Sequence, residues 1–199
     1  PGLVSVIQNI NKKPTNIIMG NKTRVVYGKP NIKDSLGALS FNVSAQSFFQ
    51  VNSEQAEKLY NKALEYAALT GNETVVDVYC GTGTISLYMA KHAKKVYGIE
   101  VVSEAVLNAN QNKVNNKIEN VEFILGKCEE EIKALVNKEK IDAIMMDPPR
   151  KGSDQKFLDT IIEAKIPKIV YISCGPAALA RDLKYLTEKG CKVEFIQPF

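Results

Sequence analysis

The chain has 199 residues, the size of one substantial domain with room for a small appendage. Its 45% hydrophobic and 24% charged residues are the composition of an ordinary folded protein, which excludes a disordered tail, a collagen-like repeat and a small disulfide scaffold. Twenty-six Lys and Arg against 22 Asp and Glu leave a net charge of +4, a mild basic excess that permits a nucleic-acid partner without demanding one.

No apolar run reaches the roughly 18 residues of a membrane span, and no charged start leads into an apolar stretch, so the cytoplasm is the default localisation. The four cysteines, Cys80, Cys128, Cys174 and Cys191, are scattered, form no CxxC pair and have one histidine to help them, so no metal or iron-sulfur site is expected. The first residue is Pro1 rather than Met, and the chain reads as a piece of a longer polypeptide.

From residue 1 to about 43, short β segments alternate with turn chemistry. The segments are residues 3–10, 16–19, 23–27 and 37–43, separated by Asn11-Lys12-Lys13-Pro14 and Gly20-Asn21. They read as a small, partial antiparallel β unit over residues 1–46, with its boundary near residues 40–52. After Ser53, an N-cap residue by type, Ala56, Leu59, Tyr60, Ala63, Leu64 and Ala67 recur at helical spacing and Gly71 closes the segment.

From Thr74 onward strands and helices alternate. Strands are expected over residues 74–80, 95–100, 121–126, 141–147, 168–174 and 191–197, with helices starting near Thr84, Ser103, Cys128, Asp154 and Pro176. Apolar β-rich runs separated by helices long enough for crossovers specify an α/β domain over residues 47–199, with a mostly parallel sheet covered on both faces. No internal period or low-complexity tract interrupts it.

In an open parallel sheet ligands bind beyond the carboxyl ends of the strands, so the last residues of each strand are the informative ones. The first strand ends Asp77-Val78-Tyr79-Cys80-Gly81-Thr82-Gly83-Thr84, where two glycines let the backbone turn tightly and approach a ligand at a helix N-terminus. The second ends in Glu100, after Gly98, and a carboxylate there can accept both hydroxyls of a ribose. A Gly-rich turn followed by an acidic strand end indicates a nucleoside-containing cofactor, and leaves NAD and S-adenosylmethionine both open.

The fourth strand ends Asp147-Pro148-Pro149-Arg150-Lys151-Gly152, an acid followed by two prolines that fix the loop; the plain alternative is a helix-capping Asp in a Pro-rich turn. The fifth ends Ile172-Ser173-Cys174-Gly175-Pro176, and Pro176 suits the first position of a helix. Cys174 therefore lies at the carboxyl edge of the sheet beside a helix N-terminus, which favours the nucleophilic thiolate and makes it the best nucleophile candidate. Cys80, Cys128 and Cys191 suit the ordinary role of small core residues, although Cys80 also lies near the glycine turn.

These strand ends, together with Ser47-Phe48-Phe49-Gln50-Val51-Asn52 before the first helix, resemble the RNA 5-methyluridine methyltransferases of the TrmA and RumA type. The resemblance runs across nearly the whole chain, from Val4-Ser5-Val6-Ile7-Gln8-Asn9 to Gln197-Pro198-Phe199. It implies a Rossmann-like class I S-adenosylmethionine-dependent methyltransferase domain that acts on structured RNA, 23S ribosomal RNA foremost and transfer RNA second. No obligate protein partner is implied.

By the same resemblance Cys174 is the nucleophile that adds to C6 of the target uracil. Gln50, Tyr79, Gly81, Gly83, Thr84, Glu100 and Asp147 contact the cofactor, with Glu100 on its ribose and Asp147 between the cofactor and uracil sites, able to serve either, and Arg150 and Lys151 are candidates for the RNA backbone. Chemically this is sound: C5 of uracil is a poor carbon nucleophile, and addition at C6 converts it into an enolate able to attack a sulfonium methyl. His92 is expected at the surface.

Two departures stand out. The family usually has Asn where Gly175 stands, a loss that would weaken alignment of the base or of the nucleophile loop. The family also continues past Gln197-Pro198-Phe199 into the glutamate that removes the C5 proton and into a last strand that lies beside residues 191–197. Residues 1–199 thus read as a catalytic-domain fragment, without the family's N-terminal nucleic-acid-binding domain or the iron-sulfur cysteines of many members. Its complete turnover is doubtful on that reading.

Other readings of the same residues are an amino-methyltransferase, whose paired prolines precede an aromatic where Arg150 stands, and a dehydrogenase, which would need a third fingerprint glycine. A noncatalytic cofactor- or RNA-binding module is the alternative outside enzymes. A Cys174-dependent adduct with uracil is required by the 5-methyluridine reading alone.

Overall fold

A computed structural model describes residues 2–12, 14, 19–20, 22–45 and 47–199. At the N-terminal end β1 (Ser5–Ile10) pairs antiparallel with β2 (Lys22–Gly28), and β3 (Asn31–Leu36) pairs antiparallel with β4 (Leu39–Ser44). Gly37, at φ 54, makes the two-residue turn of the second hairpin. Of the segment expected over residues 16–19, residues 16–18 lie outside the described residues, and Met19 is not in a strand.

Strand β3 escapes the sequence pattern because Asn31-Ile32-Lys33-Asp34-Ser35-Leu36 holds two apolar residues among four polar ones. Its pairing with β4 supplies what its composition lacks.

The rest of the chain alternates as the crossover pattern requires: α1 (Ser53–Ala67), β5 (Thr74–Val78), α2 (Thr84–Met89), β6 (Lys95–Glu100), α3 (Ser103–Asn115), β7 (Val121–Leu125), α4 (Cys128–Lys138), β8 (Ala143–Met146), α5 (Gln155–Glu163), β9 (Ile169–Tyr171) and α6 (Pro176–Glu188). A short 3-10 turn, Ala90–His92, follows α2 and leaves His92 exposed. The five later strands form one parallel sheet in the order β7-β6-β5-β8-β9.

Period-two alternation along these strands builds two cores. Val75, Val96, Val121 and Met145 pack with α1, α2 and the β3–β4 hairpin, whose Leu36, Leu39 and Phe41 are buried there. Val76, Val78, Tyr97, Ile99, Ile144 and Met146 face α4, α5 and α6 across the opposite side of the sheet.

Local signals set most boundaries. The side chain of Asn52, one residue before the expected cap, accepts from the Gln55 N–H at 3.1 Å and starts α1. That helix ends at Ala67, with Ala68 in the left-handed region at φ 46, rather than at Gly71. Asp154 caps α5 by accepting from the Phe157 N–H at 3.0 Å.

Residues 191–197 form no strand. An isolated strand leaves its N–H and C=O groups without a ladder, and no described residue pairs with this segment. Phe195 and Ile196 stay largely exposed, Phe195 lying stacked on Tyr66 of α1 with ring centroids 5.1 Å apart. Among the described residues no helix is long and apolar enough to cross a membrane.

Candidate active site

Strand β5 passes into α2 through a turn that only particular residues tolerate. Tyr79, Gly81 and Gly83 all have positive φ, at 63, 54 and 81. A tyrosine held in the left-handed region is locally strained, and such strain persists where the surroundings over-determine it. Here the Tyr79 ring packs edge-on against Phe157, centroids 5.6 Å apart, and the Cys80 N–H donates to the Ile99 carbonyl at 3.1 Å.

Glu100 at the end of β6 completes the turn from the neighbouring strand. Its Oε2 accepts from the Gly81 N–H at 3.1 Å, and its Oε1 accepts from the N–H groups of Val101 and Val102 at 2.8 and 2.9 Å. The carboxylate is thus fixed in orientation and keeps lone pairs for a ligand. Thr84, half-buried, is the first residue of α2.

Beneath the turn lies Asp77, fully buried on β5, whose Oδ2 accepts from the Ser86 hydroxyl at 2.5 Å while Oδ1 has no hydrogen-bond partner among the described residues. Burial, chiefly, pushes its carboxyl up to about 7, and the nearby charges of Asp147 and Glu100 act in the same direction against the Ser86 hydrogen bond. Asp147, beyond the end of β8, is pushed up to about 6 by burial. Tyr60 of α1 reports on the same neighbourhood: burial and then the charges of Asp147 and Asp77 raise its hydroxyl, opposed by a hydrogen bond with Gln50.

Gln50, Tyr60, Asp77 and Asp147 therefore lie close enough to act on one another, and Asp77 also feels Glu100 beside the Gly81–Gly83 turn. Three carboxyl groups gathered at the positive end of a helix, one of them with an orphaned buried oxygen, fit a nucleoside cofactor that also carries positive charge.

Sequence reasoning missed two members of this region. Tyr60 reads as one of six core positions of a helix, and only the crossing of α1 over the sheet turns its hydroxyl toward the carboxyl groups. Asn112 of α3 is fully buried; its Oδ1 accepts from the Asn42 N–H at 2.8 Å and its Nδ2 donates to the Thr82 carbonyl at 3.2 Å, joining the glycine turn to β4. In sequence it is one Asn among several on a polar helix, and nothing marks it.

Cys174 lies between β9 and α6 and is exposed, two residues before Pro176 at the first turn of α6. Cys80 and Cys128 are buried, which raises the first thiol well above its usual value and pushes the second up to about 12; Cys191 is half-buried. Gly175 sits against the loop after β8: a Cβ at this position would stand 3.0 Å from the Arg150 carbonyl oxygen. Arg150 and Lys151 are exposed on that loop. Among the described residues no group of three His, Cys, Asp or Glu side chains is placed to hold a metal ion.

A five-stranded parallel sheet in this order, helices on both faces and a glycine turn leaving the central strand define the Rossmann-like fold of class I S-adenosylmethionine-dependent methyltransferases. A precorrin-6y C5,15-methyltransferase from Geobacter metallireducens has this fold at a TM-score of 0.63 and 14% identity, over 75% of the present chain and 76% of its own.

Residues 7–196 match the tRNA (uracil-5-)-methyltransferase family, and the chain belongs to it. The tRNA (uracil-54, C5)-methyltransferase of Pyrococcus abyssi, solved in complex with S-adenosyl-L-homocysteine, aligns at a TM-score of 0.77 and 30% identity over 93% of this chain and 44% of its own. An uncharacterized RNA methyltransferase of Clostridium acetobutylicum is 52% identical over 198 residues, 99% of this chain and 43% of that protein. One of Bacillus cereus is 51% identical over 199 residues, 100% of this chain and again 43% of the relative. The chain thus spans less than half the length of these curated relatives.

Proposed function

We propose that the protein methylates C5 of uridine in RNA, with Cys174 as covalent nucleophile and S-adenosylmethionine as methyl donor. The observation that carries this reading is the exposed Cys174 thiol at the head of α6, packed through Gly175 against the loop from Asp147 to Lys151 at the same sheet edge as the Gly81–Gly83 turn. The donor, when bound, supplies an electrophilic methyl group on a sulfonium. Gly81, Gly83, Thr84 and Tyr79 shape its seat, Glu100 accepts from its ribose hydroxyls, and Gln50 and Asp147 hold its charged end.

The Cys174 thiolate forms a bond to C6 of the uracil ring, and the C5–C6 π electrons move into an enolate. With the donor bound, C5 would attack its methyl carbon as the methyl–sulfur bond breaks and leaves its electron pair on the sulfur of a neutral thioether; the C5 proton would then leave to a base, and the returning electron pair would expel the thiolate. By the family resemblance that base is a glutamate in the stretch following the equivalent of Phe199. Arg150 and Lys151 hold RNA phosphates, as their exposure on the loop that meets Gly175 permits.

For the RNA we propose ribosomal RNA, 23S foremost, with transfer RNA as the second class; the name of the Pyrococcus abyssi relative supports the latter. Methyl transfer from labelled S-adenosylmethionine to each RNA, by the wild type and by Cys174→Ala, tests the reading. Transfer lost in the variant with cofactor binding retained is expected, and undiminished transfer would overturn it.

A further inference from the structure

Helix α6 begins two residues after Cys174, so whatever docks α6 also positions the thiol. Its docking is unusual in that a buried charge performs it. Asp182, in the second turn, is 1% exposed. Its Oδ2 accepts from the Ser153 N–H at 2.9 Å and from the Tyr171 hydroxyl at 2.7 Å; its Oδ1 accepts from Nε and Nη2 of Arg181 at 2.9 and 2.6 Å. Arg181 in turn donates through Nη2 to the carbonyls of Lys151 and Ser153 at 2.8 and 3.4 Å. One ion pair therefore joins the end of β9, the loop that follows Asp147-Pro148-Pro149, and the helix that carries the nucleophile at its head.

The backbone is shaped to admit this pair. Gly152 has φ 79, and a Cβ there would stand 2.5 Å from Arg181 Nη2 and 2.6 Å from Asp182 Oδ2, so a side chain would displace the clamp as well as strain the loop. At the other end of the contact Gly175 lets the Arg150 carbonyl come close. An isolated buried carboxylate is costly, and a fully hydrogen-bonded one is costly to disturb, which makes such a group a fixed reference point for the two loops. The segment that bears Cys174 is itself held by local bonds: the Ile172 N–H donates to the Met146 carbonyl at 2.9 Å, the Ser173 hydroxyl donates to the Gly175 carbonyl and accepts from the Gly175 N–H, both at 3.2 Å, and the Leu179 N–H donates to the Gly175 carbonyl at 2.9 Å.

We infer that Asp182 is a positioning residue, which through Ser153, Tyr171 and Arg181 locks the Arg150–Ser153 loop onto α6 and so sets the Cys174 thiol against Asp147 and the RNA-facing Arg150 and Lys151. The inference rests on the assignment of Cys174 as nucleophile. Misplacing a reacting group by about 1 Å costs on the order of 100-fold in rate, so the clamp is read out in the rate of bond formation rather than in cofactor affinity.

The test uses the protein with S-adenosylmethionine and RNA containing 5-fluorouridine, comparing wild type, Asp182→Asn and Cys174→Ala. Asp182→Asn is expected to slow formation of the covalent adduct by about 10- to 100-fold at unchanged affinity for S-adenosylmethionine. Backbone amides of residues 150–153 and 172–175 are expected to exchange with deuterium faster together, a readout that needs no RNA. An adduct formed equally by Cys174→Ala overturns the nucleophile assignment. A Cys174-dependent adduct formed at the wild-type rate by Asp182→Asn, or faster exchange in neither segment, overturns the clamp alone. If Asp182→Asn fails to fold, as loss of a cooperative thermal melt would show, Tyr171→Phe and Arg181→Ala each remove part of the network; wild-type adduct rates in both overturn the inference.

Discussion

The ring of Phe123 on β7 occupies the space where a side chain at Gly83 would lie: a Cβ there would be 2.5 Å from the ring Cζ and 3.1 Å from the Ala109 Cβ. Gly83 also has φ 81, so its lack of a side chain is required twice, by conformation and by packing. Gly83→Ala is expected to cost about 2 to 4 kcal/mol, a fall in Tm of about 5 to 15 °C, and to weaken S-adenosylmethionine binding as the turn shifts. Thermal melts and calorimetric titration check both.

Asp77 gives the fold a pH dependence whose sign is set by burial. Its carboxyl moves from an ordinary 3.8 up to about 7, so between these values the folded chain holds more protons than the unfolded one. The stability that Asp77 contributes is therefore fully present below about pH 4 and declines as pH rises to about 7, by at most about 4 kcal/mol. Asp147, raised to about 6, contributes in the same direction. Denaturant unfolding between pH 5 and pH 8 is expected to show the decline in the wild type and a smaller one in Asp77→Asn. Equal slopes in the two proteins would contradict the assignment to Asp77.

Glu100 acts both as a ligand candidate and as the anchor of the Gly81 amide. Glu100→Gln keeps the size and one acceptor oxygen but loses the charge, and S-adenosylmethionine affinity is expected to fall about tenfold or more. Glu100→Ala releases the amides of Gly81, Val101 and Val102 as well and is expected to bind more weakly still. Native labelling of Cys174 should be unaffected in Glu100→Gln.

The cysteines differ enough to be told apart chemically. Cys128, with its thiol pushed up to about 12, has a thiolate fraction at pH 8 on the order of one in 10⁴, and Cys80 is held higher than its usual value by burial. Iodoacetamide under native conditions is expected to label the exposed Cys174 ahead of both, as peptide mass mapping would show.

Much of this architecture was legible where the signal is local. Pro176 suits the first position of a helix, Gly81 and Gly83 suit positive φ, and the apolar runs from Thr74 onward predicted the five parallel strands that form. Failures occurred where structure depends on a partner elsewhere in the chain. Residues 191–197 carry a strand-like pattern but no neighbour among the described residues supplies a ladder, and β3 exists only through β4. Tyr60, Asn112 and Asp182 look in sequence like an apolar stripe member and two solvated helix residues. Their burial and partners come from how α1, α3 and α6 cross the sheet, which no local pattern encodes.

The most direct measurement is the intact mass of the protein after incubation with S-adenosylmethionine and RNA containing 5-fluorouridine, with Cys174→Ala alongside. Fluorine at C5 cannot leave as a proton, so elimination is blocked and the methylated adduct is trapped. The expected result is a species heavier than the protein by the RNA and one methyl group, absent from Cys174→Ala. The same species from Cys174→Ala, or none from the wild type, would contradict Cys174-dependent methylation of uracil.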